Sequence, residues 1–306
     1  MKMAIMRIGR AELRVLDLEE SINYYTNIIG LEVVGRSEGR AYLKAWDEYD
    51  HHSLVLQEAD SPGLDHFAFK VQNEVDLEFY ERQVEQFGCT TKRISKGTRL
   101  AEGEAIRVTL PTGHQMELYH DIQQVGKQTG ILNPHPFPDE ARGMAPHRLD
   151  HVLLTGEDVK SVTRLFTEAL GMFQSERIET LDGEDMVGSF MYAQNGKPHD
   201  IAFIKGPDNK LHHAAFKVDN WYDVLKAADL LARYDVPIEV TPTRHAITRA
   251  ETTYFFDPSG NRNEAYSGGY ITYPDFPTIT WTEDKIAQGI FYHRREMVES
   301  FMKALT

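Results

Sequence analysis

Short apolar stretches broken by polar turns run along the whole chain, and their spacing alternates between that of strands and that of helices. From Leu13 the segment LRVLDLEESINYYTNIIGL reads as strand, turn and helix. Leu18, Ile22, Tyr25 and Ile29 recur at helical spacing, Asp17 stands where an N-cap is wanted, and Gly30 where a helix stops. The segment VLLTGEDVKSVTRLFTEALGM, ending at Met172, reads the same way with a loop two residues longer and a stop at Gly171. Short strands follow in each half, predicted in VEQFGCTTKRI, IRVTL and MELY and again in YDVPIEV, TTYFF and NEAY.

Two further blocks show that the halves are copies. LDHFAFKV, ending at Val71, recurs as LHHAAFKV, ending at Val218, and LPTGHQMELY, ending at Tyr119, lies over DPSGNRNEAY, ending at Tyr266; both offsets are 147 residues. Each half is therefore expected to hold two strand-and-helix units. Between them, Pro134, Pro136, Pro138 and Pro146 rule out a continuous helix or central strand. This places an N-terminal domain at 1–125, a linker at 126–147, a second domain at 148–270 and a C-terminal tail at 271–306.

Composition narrows the function classes. A formal net charge of -14 with no basic stripe argues against nucleic acid as a partner. No stretch approaches the roughly 18 uncharged apolar residues of a membrane span. Arg7, Arg10 and Glu12 stand where a signal peptide needs its apolar run, so a cytoplasmic location is expected. The lone cysteine, Cys89, excludes an intramolecular disulfide framework and is expected to be structural.

Superposing the halves sets His151 opposite Glu12, His213 opposite His66 and Glu264 opposite Glu117. Two neutral imidazoles and one carboxylate form the donor set of a facial non-haem Fe(II) site, which keeps adjacent coordination positions open. The Glu12, His66 and Glu117 set, two carboxylates and one imidazole, could in principle hold a divalent cation. His212 rivals His213, but neighbouring strand residues point to opposite faces, so only one of the pair is expected to reach the centre. His51, His52, His114, His135 and His147 have no partner motif and are expected at the solvated surface.

The run from Arg244 to Glu264, RHAITRAETTYFFDPSGNRNE, resembles the signature of class I extradiol dioxygenases of the vicinal oxygen chelate superfamily: a histidine, a tyrosine, Asp-Pro-x-Gly and a final glutamate. The likeness covers essentially the whole chain and is closest to the catechol 2,3-dioxygenases, through LRVLD, YLKAWDEYD, LVLQEAD, HDIAFI, LHHAAF and FMKALT. It implies an α+β fold of two similar domains, each made of two βαβββ modules in a half-open barrel, with the tail covering the active site. It implies Fe(II) held by His151, His213 and Glu264, an N-terminal copy that has lost its metal at Glu12, His66 and Glu117, and an acid-base set of His199, His245 and Tyr254. Ile204, Ile247, Ile290 and Phe301 would line the pocket. The implied reaction is meta cleavage of catechol, or of an alkyl- or halo-catechol, by O2 to a muconic semialdehyde, in a homotetramer. The same fold also hosts Mn(II)-dependent ring cleavage of other diols and non-catalytic small-molecule binding.

Overall fold

The computed structural model describes residues 4–273 and 275–306. In the first module β1 (Ile5–Val15) leads to α1 (Leu18–Tyr24), which begins where the Asp17 carboxylate accepts a hydrogen bond from Glu20 N at 2.8 Å. A π-helical turn, Tyr25–Ile29, ends at Gly30 with φ of 93°, a left-handed conformation that glycine adopts without steric cost. Then come β2 (Glu32–Ser37), β3 (Arg40–Lys44) and β4 (Leu54–Glu58).

The unit recurs three times. The second module has β5 (Gly63–Val71), α2 (Val75–Phe87), β6 (Thr90–Ile94), β7 (Ala105–Thr109) and β8 (Gln115–Tyr119). The third has β9 (Arg148–Gly156), α3 (Val159–Arg164), β10 (Phe173–Glu179), β11 (Met186–Tyr192) and β12 (Ile201–Lys205). The fourth has β13 (Lys210–Lys217), α4 (Trp221–Arg233), β14 (Ile238–Arg244), β15 (Ala250–Phe256) and β16 (Arg262–Gly268). After it, β17 (Ile279–Thr282) precedes the short helices α5 (Ile286–Ile290) and α6 (Glu299–Lys303).

The first two modules form one sheet in the order β2-β3-β4-β1-β5-β8-β7-β6. The second sheet, read from β10, repeats that order strand for strand and gains β17 at the β10 edge. Each half is thus an α+β pair of βαβββ modules, the two-domain half-barrel architecture. Between β8 and β9 lie only isolated bridges, Asp50 with Gln124 and Glu102 with Ile122.

Two predicted strands begin later than their patterns suggest. Val84 to Phe87 form the last turn of α2, closed by Gly88 at φ of 106°, and Tyr234 to Pro237 turn before β14 starts. In the first, Val84 and Phe87 serve the buried side of the helix end; in the second, Tyr234 is exposed and Val236 packs half-buried against the core beyond the helix.

Apolar faces of both halves share one core. Phe166 packs on Phe69 and on Phe203, with ring centroids 6.0 and 5.9 Å away. Burial of each such ring contributes about 1.5–3 kcal/mol. Cys89 packs half-buried against this core.

Three histidines expected at the surface are buried. His51 and His52 touch through their Nδ1 atoms at 3.0 Å, and His52 Nε2 sits 3.1 Å from Glu102. His114 joins the halves: its Nδ1 is 2.9 Å from Thr112 Oγ1 and its Nε2 3.1 Å from the Lys210 carbonyl. Polar flanking sequence hid this burial because Glu102 and the Lys210 carbonyl come from distant segments. His147 pairs with Asp47 and Asp219, and His135 is exposed.

Burial pushes the His114 imidazole down to about 4. The fold therefore prefers its neutral form, and the stability it contributes is full above pH 6.5 and is lost as pH falls through the folded value. Spanning about 2.5 pH units, the effect is about 3 kcal/mol. Between pH 7 and 4.5 the wild type is expected to lose more stability in urea unfolding than His114→Gln; parallel losses would show that His114 is not the titrating group.

Candidate metal centre

Strands β9, β13 and β16 are neighbours in the second sheet and carry His151, His213 and Glu264 on one face. Both histidines follow a β-bulge, because the pairing of β9 with β13 skips a residue between Leu149 and His151 and between Leu211 and His213. The extra residues, Asp150 and His212, leave strict strand alternation. His212 thus lies beside His213, Nδ1 to Nδ1 at 2.7 Å, which corrects the expectation that the two point to opposite faces.

These bulge residues orient the imidazoles. Asp150 Oδ2, a pure acceptor, lies 3.0 Å from His151 Nδ1, so that nitrogen carries the proton. His212 Nε2 lies 2.7 Å from the Phe301 carbonyl and must donate; its Nδ1 then accepts from His213 Nδ1. In both ligand candidates the lone pair is left on Nε2.

Those lone pairs converge on a carboxylate oxygen. Glu264 Oε2 is 3.1 Å from His151 Nε2 and 3.1 Å from His213 Nε2, and the two nitrogens are 3.3 Å apart. Three donors about 2.1 Å from one cation at right angles would be separated by about 3 Å. The triangle therefore fits one side of an octahedral metal site.

Electrostatics also call for a cation. All three residues are buried. Burial depresses the His213 imidazole to about 4 despite Glu264, which keeps it neutral. Burial works against a charged His151 as well, but Asp150 and Glu264 on either side outweigh it and its pKa is raised. The centre attracts positive charge that the side chains leave to a proton or a metal.

The first half meets the same demand with a guanidinium of its own. There Arg10 pairs with Ala68 and Glu12 with His66, whereas His151 pairs with Ala215 and Leu153 with His213. With β5 and β13 offset by 147 residues, the counterpart of His151 is Arg10, and Glu12 corresponds to Leu153. The expected match of His151 to Glu12 is corrected because the extra loop residues belong outside the paired strands. The buried Arg10 guanidinium binds Glu117 Oε2 and lies 3.3 Å from His66 Nε2. Arg99 and Arg107 reach Glu117 Oε1 at 2.7 and 2.8 Å.

His199, His245 and Tyr254, with Ile204, Ile247, Ile290 and Phe301, line one cavity together with the three ligand candidates. The His199 ring centroid is 4.0 Å from that of His151, and its buried Nδ1 has no hydrogen-bond partner among the described residues. Burial, then His151, holds its pKa well below the ordinary imidazole value. His245 Nδ1 donates to the Ile290 carbonyl, so its Nε2 accepts from Tyr254 OH at 2.8 Å. Burial, followed by nearby Glu264, raises the Tyr254 phenol well above its usual range and keeps it a donor.

Sequence reading missed other parts of the wall: Leu153, Ile178, Phe190, Thr248 and Tyr266. It also missed Glu176, which accepts from Thr248 N at 2.6 Å, Trp281 Nε1 at 2.6 Å and Tyr270 OH at 2.7 Å. Thr248 and Arg249 are left-handed, with φ of 57° and 55°, and Glu176 pins this strained turn to the tail.

Residues 64–123 match the family described as the catechol 2,3-dioxygenase-like N-terminal domain, and residues 148–265 match the glyoxalase/bleomycin resistance protein/dioxygenase superfamily. A metapyrocatechase of Pseudomonas sp. (strain CF600) is 42% identical over 310 residues, spanning 100% of both chains. The chain belongs to the catechol 2,3-dioxygenase family of extradiol dioxygenases. Another relative in this family of metal-dependent enzymes, 33% identical over 96% of this chain and 95% of its own, is the manganese-dependent 2,3-dihydroxybiphenyl 1,2-dioxygenase of Geobacillus genomosp. 3. The crystal structure of the 2,3-dioxygenase LapB from Pseudomonas sp. KL28 superposes with a TM-score of 0.89 at 42% identity, covering 92% of this chain and 99% of that one.

Proposed function

We propose that this family member opens catechol beside its diol, adding both atoms of O2 to give 2-hydroxymuconate semialdehyde. The carrying observation is the convergence of His151 Nε2, His213 Nε2 and Glu264 Oε2 inside a largely apolar cavity. These three residues would hold Fe(II), which when bound chelates the diol and lets O2 react with it.

The chain's own groups do the rest. His199, neutral and with a free nitrogen, accepts a proton from the incoming diol. His245, fixed by the Ile290 carbonyl, offers Nε2 as an acceptor, and the Tyr254 hydroxyl, turning from that nitrogen, donates to an oxygen on which charge develops. Leu153, Ile178, Phe190, Ile204, Ile247 and Ile290 surround the ring and exclude water. Around this centre the proposed division is an N-terminal domain at 1–125, a linker at 126–147, a catalytic domain at 148–270 and a covering tail at 271–306. No helix among the described residues is long and apolar enough to cross a membrane. A cytoplasmic homotetramer is proposed on family resemblance.

Protein loaded anaerobically with Fe(II) is expected to turn catechol and O2 into a yellow semialdehyde, with His213→Ala inactive. Absence of product from the metal-loaded wild type overturns the assignment. Mn(II) fits the same donors and is the metal of the biphenyl-diol relative. Metal analysis of protein purified from cells supplied with both ions separates the two.

Among the described residues, no lysine or arginine lines the cavity. A catechol bearing a carboxylate would bury that charge unpaired, at a cost of several kcal/mol. Methyl- and chloro-catechols are therefore expected to exceed carboxylated catechols in kcat/KM by about 100-fold or more. Comparable kcat/KM values would mean that a counter-charge enters the site.

A further inference from the structure

We infer that His212 is a positioning residue that couples docking of the C-terminal segment to metal affinity; the inference rests on the proposed metal role of His213. In the two sheets, the histidines that face the centres each follow a bulge residue that holds their Nδ1 atom. Asp150 holds His151 at 3.0 Å, and in the first half Asp65 holds His66 at 2.7 Å. At the third such place the carboxylate is replaced by His212.

An imidazole differs from a carboxylate in needing to be oriented itself. Its Nδ1 can accept from His213 only while its proton sits on Nε2, and that proton goes to the backbone carbonyl of Phe301, 2.7 Å away in α6. The relay therefore runs from Phe301 O through His212 to His213 and leaves His213 Nε2 bare for a cation. Loss of the Phe301 carbonyl removes what fixes the His212 tautomer. By contrast, Asp150 holds His151 with no help from the tail.

The segment is well placed for this. Arg262 donates to the His212 carbonyl at 3.0 Å and to the Ser300 carbonyl at 3.1 Å, and Leu211 N donates to Thr306 O at 2.7 Å. Because coupling free energies are reciprocal, a docked segment that favours metal implies a metal that favours docking.

Co(II) titrated into metal-free protein, followed by its visible absorption, reads affinity without turnover. His212→Leu is expected to weaken Co(II) by about 10–100-fold, the range for partners that orient a ligand. His212→Gln, which can accept and donate at once, is expected to recover part of the loss. Removal of residues 299–306 is expected to weaken Co(II) in the wild type but much less in His212→Leu, since the two changes break one relay. Co(II) is also expected to slow carboxypeptidase release of the segment from the wild-type chain. Equal Co(II) affinity in the wild type and both His212 variants, or additive losses with the truncation, overturns the relay alone. Failure of the wild type to bind Co(II) overturns the metal reading and the relay with it.

Discussion

Glu264→Gln is expected to lose metal binding and ring cleavage together, turnover falling by about 1000-fold or more. Its carboxylate is the single anionic donor of the triad, and Oε2 faces two nitrogens whose protons are committed elsewhere. An amide keeps the shape but turns an N–H toward those lone pairs. Without metal the wild type leaves its demand for positive charge to a proton and the variant needs none, so the metal-free variant should be about as stable as the metal-free wild type. The difference appears when metal is added. At a concentration about 100 times the dissociation constant, metal stabilises the wild type by about 2.7 kcal/mol, and the variant should show no such rise in Tm. A variant that still gains stability from Fe(II) would show that the ion sits elsewhere.

The same reasoning explains what the sequence made legible. Strand blocks with a constant 147-residue offset preserve register, so residues that meet across neighbouring strands in one half meet in the other. His213 and Glu264 could be placed against His66 and Glu117 on that basis alone. The first strand could not, because its offset depends on where the loop residues are assigned. Only the hydrogen-bonded pairing shows Arg10, and not Glu12, to be the counterpart of His151. That change alters the meaning of the first half: the acceptors that converge on one another in one domain face a guanidinium in the other.

What stayed hidden is non-local. Bulges at Asp150 and His212 break the period of two on which a strand reading relies, and no residue type announces them. Glu176 looks like one more charge in QSERIE, yet it gathers donors from three later segments. His52 and His114 sit in polar sequence but find buried partners in distant segments, Glu102 and the Lys210 carbonyl. Such contacts are fixed by tertiary packing, whereas the local pattern specifies the elements that make packing possible.

His199 provides the sharpest separation between holding the metal and using it. Replacing it with Asn is expected to lower kcat by about 100- to 10,000-fold, the usual reach of a positioned acid-base group, while metal content stays at the wild-type level. Its ring packs beside His151, but His151 takes its orientation from Asp150, so the metal site should survive. Nδ1 of His199 is buried and unpaired, so the substitution breaks no hydrogen bond from that atom among the described residues. If the lost function is removal of a proton from the diol, the defect should shrink with diols that ionise more readily. Halogenated catechols are therefore expected to show a wild-type to variant ratio smaller by about tenfold than catechol itself. A uniform loss across these substrates would give His199 a part in steadying bound oxygen instead, and a loss that tracks metal content would make it a support for His151.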